Sequence, residues 1–151
     1  MAAIIRPMRI GDLPQVVRLV ESTEGLAFKK WETFLVLTRT LLRNWGLAQV
    51  AVLNGEVVGS VFIAEGLMVM VHHLVVAPQA RGQNLATKMV QAGLRRVYRK
   101  KWASRRVYVT TLPSNIGAQI FWSKFGFTHQ ALGYLVLFTL DLGEQEWLSQ
   151  Q

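Results

Sequence analysis

Apolar and polar positions alternate along this chain with two periods, and the places where the period changes mark the elements. Ala3–Arg9 reads as a short strand. Asp12-Leu-Pro-Gln15 predicts a helix start, with Asp12 as N-cap, Pro14 in the first turn and Gln15 at the capping-box position; Val16, Val17, Leu19 and Val20 supply its apolar face. A second helix is predicted over Lys30–Asn44, where Trp31, Phe34, Leu35, Thr38, Leu41 and Leu42 recur near the 3.6 spacing. Ala48–Leu53, Asn54-Gly55 and Val57–Ala64 form a hairpin pattern, because a two-residue Asn-Gly turn accepts positive φ at both positions. Leu67–Ala77 is apolar on both faces, as in a strand covered on both sides.

After the turn-rich Pro78–Asn84, the run Leu85 to about Lys100 is an amphipathic helix with Leu85, Met89, Val90, Gly93, Leu94 and Val97 inward. Val107–Leu112 is a strand. Ser114 is placed to cap a helix that ends at Phe125 before Gly126, and Gln130–Leu140 reads as one or two strands broken at Gly133. The predicted order is β-α-α-β-β-β-α-β-α-β-β. That order makes an α/β sandwich on a mixed sheet.

The 151 residues fit one domain, 1–151, with no repeat or linker. The absence of cysteine excludes a disulfide scaffold, a Cys-ligated zinc and a cysteine nucleophile, and no metal site is expected. Val57–Pro78 is interrupted by Gly59, Glu65, Gly66, His72 and His73, so it reads as strands and not as a membrane span. No signal-peptide pattern opens the chain, which makes a cytoplasmic protein without membrane partners the expectation.

Charge narrows the picture. The formal net charge is +8, yet residues 66–140 contain no Asp or Glu and hold 10 Lys and Arg, seven of them between Arg95 and Arg106. An anion site in the second half is one reading, and a solvated basic helix end is the other. A nucleic-acid site is disfavoured, because Tyr98 and Trp102 are the only aromatics within the basic run.

The loop Val75–Ala86 joins a buried strand to a helix N-terminus, where unpaired amides and the helix dipole favour an anion. Val76, Pro78, Arg81 and Ala86 resemble the pattern V-x-P-x-x-(R/Q)-x-x-G-x-(G/A) of the GNAT superfamily of acyl-CoA-dependent N-acetyltransferases, with Asn84 in place of a glycine. Asn115–Phe127 resembles the same family's N-x-x-A-x-x-F-Y-x-K-x-G-F block, and the Asn54–Gly59 hairpin matches its second and third strands.

The resemblance implies a mixed, mostly antiparallel sheet of about seven strands with helices on both faces. It also implies acetyl-CoA as co-substrate. Carried over by position, backbone groups of Leu74, Val75 and Val76 would meet the pantothenate arm. Arg81, Gly82, Gln83, Asn84, Leu85, Ala86 and Thr87 would hold the pyrophosphate. Asn115 would approach the arm from the far side, and Lys124 with part of the Arg95–Arg106 cluster would face the adenosine phosphate.

Two family positions differ here. Met70 stands where many members carry a glutamate base, and Trp122 where many carry a tyrosine acid. His72, two residues beyond Met70, shares its face by strand alternation and resembles the catalytic histidine of arylalkylamine N-acetyltransferases. His72 is therefore the expected general base, whereas His73 is expected on the opposite face unless a bulge intervenes. Tyr108 and Tyr134 are the alternative acids.

The acceptor, a small-molecule amine or a peptide N-terminus, is expected to meet Phe28, Trp31, Phe34, Glu24, Glu32 or Glu65. A polycationic acceptor is disfavoured by the basic charge. Homodimers are common in the family. A catalytically silent CoA-binding or sensing module stays open beside the enzyme reading.

Overall fold

Seven strands form one sheet in the computed structural model, which describes residues 2–23, 26–133 and 135–150. The elements are β1 (Ile4–Pro7), α1 (Leu13–Glu21), α2 (Phe34–Arg43), β2 (Gln49–Leu53), β3 (Glu56–Glu65), β4 (Val69–Val76), α3 (Leu85–Arg99), β5 (Arg106–Thr111), α4 (Ile116–Phe125), β6 (Thr128–Leu132) and β7 (Leu135–Asp141). The order along the chain is the predicted one. Across the sheet it is β1-β2-β3-β4-β5-β7-β6, with every neighbouring pair antiparallel except β4–β5.

Each face of the sheet carries its own core. On one face Leu85, Met89, Val90, Leu94 and Val97 of α3 and Trp122 of α4 pack on Val61, Ile63, Val69, Val71 and Val107. On the other, Leu13, Val16 and Val20 of α1 and Leu37 and Leu41 of α2 pack on Val50, Phe62 and Val75. Burial of each such side chain is worth about 1.5–3 kcal/mol, so these two layers fix how the strands lie.

Gly93 sets how closely α3 approaches the sheet. A Cβ there would run into Ile63 Cδ1 and sit 2.5 Å from Leu47 O. A mid-helix glycine ordinarily costs about 1 kcal/mol relative to alanine, and here that cost is offset by contact a side chain would forbid.

Asp12 does not cap α1 through its side chain. Its carboxylate accepts from Arg6 Nη1 and Nη2 at 2.7 and 2.8 Å and from the Arg9 N–H at 2.7 Å, tying β1 to the start of the helix. Burial alone would raise this carboxyl; the Arg6 and Arg9 contacts outweigh it and hold it below the usual range. Gln15 likewise leaves the capping box, its Oε1 accepting the Val57 N–H at 3.0 Å.

The second helix starts later than the periodicity predicts, at Phe34, because Thr33 Oγ1 accepts the Val36 N–H and caps it. Of its predicted face only Leu41 is buried. Phe34, Leu35 and Leu42 are exposed, because the sheet covers the Leu37–Leu41 edge of a broad apolar arc. Asn115 rather than Ser114 caps α4, its Oδ1 accepting the Ala118 N–H at 3.1 Å. The closing hairpin begins at Thr128 and turns at Gly133.

Gly93→Ala should destabilise the protein by about 1–3 kcal/mol through overpacking, against the gain that a helical alanine normally brings. Thermal unfolding checks this, and an unchanged or raised Tm would show that α3 has room for the methyl group.

Candidate active-site cleft

The central parallel pair is paired only at its start. Val69 faces Val107 and Met70 faces Tyr108, and beyond them no further β4–β5 pairing occurs among the described residues. On its other edge β4 carries a bulge. Val75 pairs with Ser60 and His72 with Phe62, so His73 and Leu74 together oppose the single residue Val61. His73 takes the left-handed φ of +50° that this requires.

The extra residue inverts the alternation of side chains. Val69 and Val71 belong to the α3 core, whereas Val75, also odd-numbered, belongs to the α1–α2 core. Leu74 and Val76 now pack on the α3 side.

A cleft of about 1660 Å3 opens where β4 and β5 diverge. Leu74, Val75 and Val76 line one wall, and Val109, Thr110 and Thr111 line the other. Arg81, Gly82, Asn84, Leu85, Ala86 and Thr87 form the floor at the start of α3, and Asn115 and Lys124 come from the α4 side. Gln83 belongs to the same loop but does not line the cleft.

The loop backbone explains the departure at Asn84. Gly82 has φ +87°, and Asn84 has φ +59° and ψ 28°, so asparagine adopts the left-handed turn that the resemblance assigns to glycine. Asn84 provides no side-chain cap to α3. The first-turn amides of Leu85, Ala86 and Thr87 therefore open toward the cleft at the positive end of the helix dipole, a ready anion cradle. Arg81 Nε lies 3.4 Å from Val76 O, holding the guanidinium at the cradle's edge.

The bulge also decides the two histidines. The ring of His73 does not turn to the opposite face. It lies tilted against Phe28 at 4.5 Å and edge-on to Phe62 at 6.3 Å, on the α1–α2 side, and the ring of His72 is 6.3 Å from it. His73 Nε2 meets Glu32 Oε2 at 2.7 Å, and Glu32 Oε1 accepts the Lys29 N–H at 2.8 Å. Burial by itself would raise the Glu32 carboxyl, but these two hydrogen bonds and the nearby histidines hold it below its usual value.

His72 carries no such partner. It sits in the concave wall, in part open to the cleft. Desolvation by that wall, reinforced by His73 and opposed by Glu32, lowers its pKa below the ordinary histidine value. The neutral imidazole is thus the resting form at neutral pH, as a proton acceptor requires.

The remaining acceptor candidates separate. Trp31 and Glu32 line the cleft, Trp31 with most of its indole exposed. Phe28 is packed beneath His73 and does not line it. Glu65 is at the far end of β3, paired with Lys100 at 3.4 Å, and is not part of the cleft. Glu24 and Tyr134 lie outside the described residues.

Trp122 is buried edge-on between Phe121 and Phe127, a core residue at the base of the cleft. Tyr108 sits where β4 and β5 are still paired and does not reach the cleft lining. None of the residues Arg95–Arg106 lines the cleft. The lysines and arginines lining it are Lys29, Arg81 and Lys124. The cluster begins ten residues into α3, and by Arg99 the helix has carried it roughly 20 Å away at ~1.5 Å per residue.

One polar group escaped the sequence reading. Thr111 belongs to the β5 wall of the cleft, while its Oγ1 is buried without a hydrogen-bond partner.

The profile of the Acetyltransferase (GNAT) family matches residues 15–127. No curated protein matches the chain in sequence. Among solved structures, a GNAT-family acetyltransferase from Staphylococcus aureus Mu50 superposes with a TM-score of 0.78 at 15% identity, covering 93% of this chain and 99% of that one. The PaiA N-acetyltransferase of Thermoplasma acidophilum, in complex with coenzyme A, gives 0.77 at 14% identity, covering 93% and 99%. Diaminobutyrate acetyltransferase EctA of Paenibacillus lautus, with L-2,4-diaminobutyric acid and coenzyme A, gives 0.71 at 15% identity, covering 95% and 97%.

Glu32→Gln should cost about 1 kcal/mol at pH 7. A folded-state pKa below the unfolded value of ~4.3 confers stability above that value, and the stability is lost as pH falls through the folded value. The Tm difference between wild type and variant should therefore close as pH drops below about 4; a difference that stays constant with pH would contradict the hydrogen-bonded carboxylate.

Proposed function

The chain belongs to the GNAT acetyltransferase family, whose enzymes use acetyl-CoA as co-substrate, and from that premise we propose direct acetyl transfer to an amine in the β4–β5 cleft. The observation that carries the reading is the divergence of β4 from β5 above an uncapped helix start. A long donor with an anionic end and an amide-rich arm matches that shape. Amides of residues 81–87 would take the pyrophosphate, with Arg81 beside it. Backbone groups of Leu74, Val75 and Val76 would pair with the arm, and Asn115 and Lys124 would meet it from the other wall. An amide at Leu74 would stabilise the oxygen of the reacting carbonyl.

In the reaction the amine nitrogen attacks the thioester carbonyl carbon, the new C–N bond forms and the C–S bond breaks. His72 accepts the proton that the amine loses, directly or through water, and the departing thiolate takes a proton from solvent. Neither Trp122 nor Tyr108 is a positioned acid, so among the described residues solvent is the proton source for the thiolate. No acyl-enzyme forms on a cysteine, since the chain has none.

The acceptor is a small molecule or a peptide N-terminus. Trp31 gives the entrance an aromatic surface, and Glu32, already bonded to His73 and the Lys29 N–H, offers little to a second cation. Lys29, Arg81 and Lys124 along the cleft disfavour a polycation.

Trp122 in the place of the family's tyrosine acid supports a second reading, a module that binds CoA without turnover. Thiol release from acetyl-CoA over an amine panel separates the two. The enzyme reading predicts amine-dependent release, and His72→Ala should lower kcat by ~10²–10⁴-fold while leaving CoA affinity within about twofold.

The pH dependence follows from the lowered pKa of His72. The rate should be flat from neutral to mildly alkaline pH and fall only below the usual histidine midpoint of ~6.5. Turnover that His72→Ala leaves intact would remove this base. Ala86→Glu places a carboxylate in the cradle and should abolish the stabilisation of about 2.7 kcal/mol expected at ~100 times the dissociation constant of CoA, read as a thermal shift.

A further inference from the structure

The seven bases from Arg95 to Arg106 serve no part of the cleft, and the tip of the molecule where they gather carries a second feature. Three connections meet there. The β3–β4 turn presents Leu67, 100% exposed, with Met68 beside it. The α2–β2 connection presents Trp45, 57% exposed, and the α3–β5 connection presents Trp102, 84% exposed.

Contacts hold the three together. Asn44 Oδ1 accepts the Glu65 N–H at 2.8 Å, Arg96 lies against Gly46, and Lys100 pairs with Glu65 at 3.4 Å. Val69, just after the turn, pairs with Val107, just after Arg106. Two indoles, a leucine and a methionine from three parts of the chain thus protrude at one end of the sheet.

The charge around them is positive. Arg43 and Arg96 flank Trp45, and Arg99, Lys101 and Arg106 flank Trp102; none of these five has a carboxylate within ion-pair distance among the described residues. The acids at this end are Glu65, paired with Lys100; Asp141, whose carboxylate accepts the Gly143 N–H; and Glu144 in the segment that follows.

We propose that this tip docks the protein on an anionic phospholipid membrane, lying on its surface without spanning it. Protruding apolar side chains ringed by unpaired cations match the boundary between headgroups and acyl chains, where tryptophan is favoured and each nearby Lys or Arg adds roughly fivefold in affinity. A nucleic acid would use flat stacking surfaces. Leu67 at a hairpin apex and Met68 offer neither stacking nor hydrogen bonds to bases. The cleft opens at the opposite end of β4, so a docked molecule keeps its mouth in water.

The test is co-sedimentation with vesicles of phosphatidylglycerol and phosphatidylcholine against vesicles of phosphatidylcholine alone, at ~0.1 M salt, where surface charge still acts over ~10 Å. Binding should be at least tenfold tighter to the anionic vesicles, with a blue shift of tryptophan emission. The double variant Leu67→Ser/Trp102→Ser should weaken it at least tenfold, and Lys101→Glu should weaken it further as salt falls. Leu67, Lys101 and Trp102 are exposed, so both variants should keep the wild-type Tm. No binding to anionic vesicles, binding undiminished in the double variant, or binding of an oligonucleotide through Trp102 without any to vesicles would each overturn the proposal.

Discussion

The extra residue that lets His73 and Leu74 share Val61 as a partner is the constraint on which the rest of the site depends. A regular β4 would send its side chains alternately to the two cores along its whole length. With the bulge, His72 and His73 both turn toward the α1–α2 side, and the strand bends away from β5 after Met70. A left-handed φ at a non-glycine residue costs about 1–2 kcal/mol. Phe28 tilted against the ring and Glu32 bonded to it offset that cost, so the segment between α1 and α2 both supports the bulge and forms the cleft's entrance. The strain is placed where two strands must part.

Much of this was legible in the residues. The Asn54-Gly55 turn fixed the β2–β3 hairpin, and the inward face of α3 matches its six predicted positions. The turn-rich loop from β4 into α3 was visible as a local pattern, and the resemblance singled out Asn115, which lines the cleft. Other features were not, and for identifiable reasons. Nothing in the identity of His73 signals positive φ, since the bulge is a property of two strands and not of one residue. Asp12 before Leu-Pro is a good cap pattern, but a bidentate Arg6 six residues earlier competes for the same carboxylate and wins. The arc on α2 is apolar over a wider angle than the sheet can cover, so periodicity alone could not say which edge would be buried. Glu65 looked like an acceptor residue only because sequence does not show that β3 carries it to the end away from the cleft.

The net charge of +8 divides between two ends of the molecule. At the cleft the positive groups are few, and the helix start does most of the work with uncharged amides. At the opposite tip the density is higher and is interleaved with exposed indoles and aliphatic side chains. The stretch from residue 66 to 140 carries no acid, so the neutralising groups come from outside it: Glu65 pairs with Lys100 at the tip, and Glu32 is the acidic side chain in the cleft among the described residues. β4 brings no carboxylate to the cleft, and the titratable side chains it does bring there are His72 and His73.

The central claim is that the parted strands and the uncapped start of α3 together receive one CoA molecule. Backbone amide chemical shifts on titration with CoA test it most directly. The account predicts the largest changes at Leu74, Val75 and Val76 and at residues 81–87, with little change at Arg99–Arg106. Changes centred on the basic tip, or none along β4 after Met70, would contradict it.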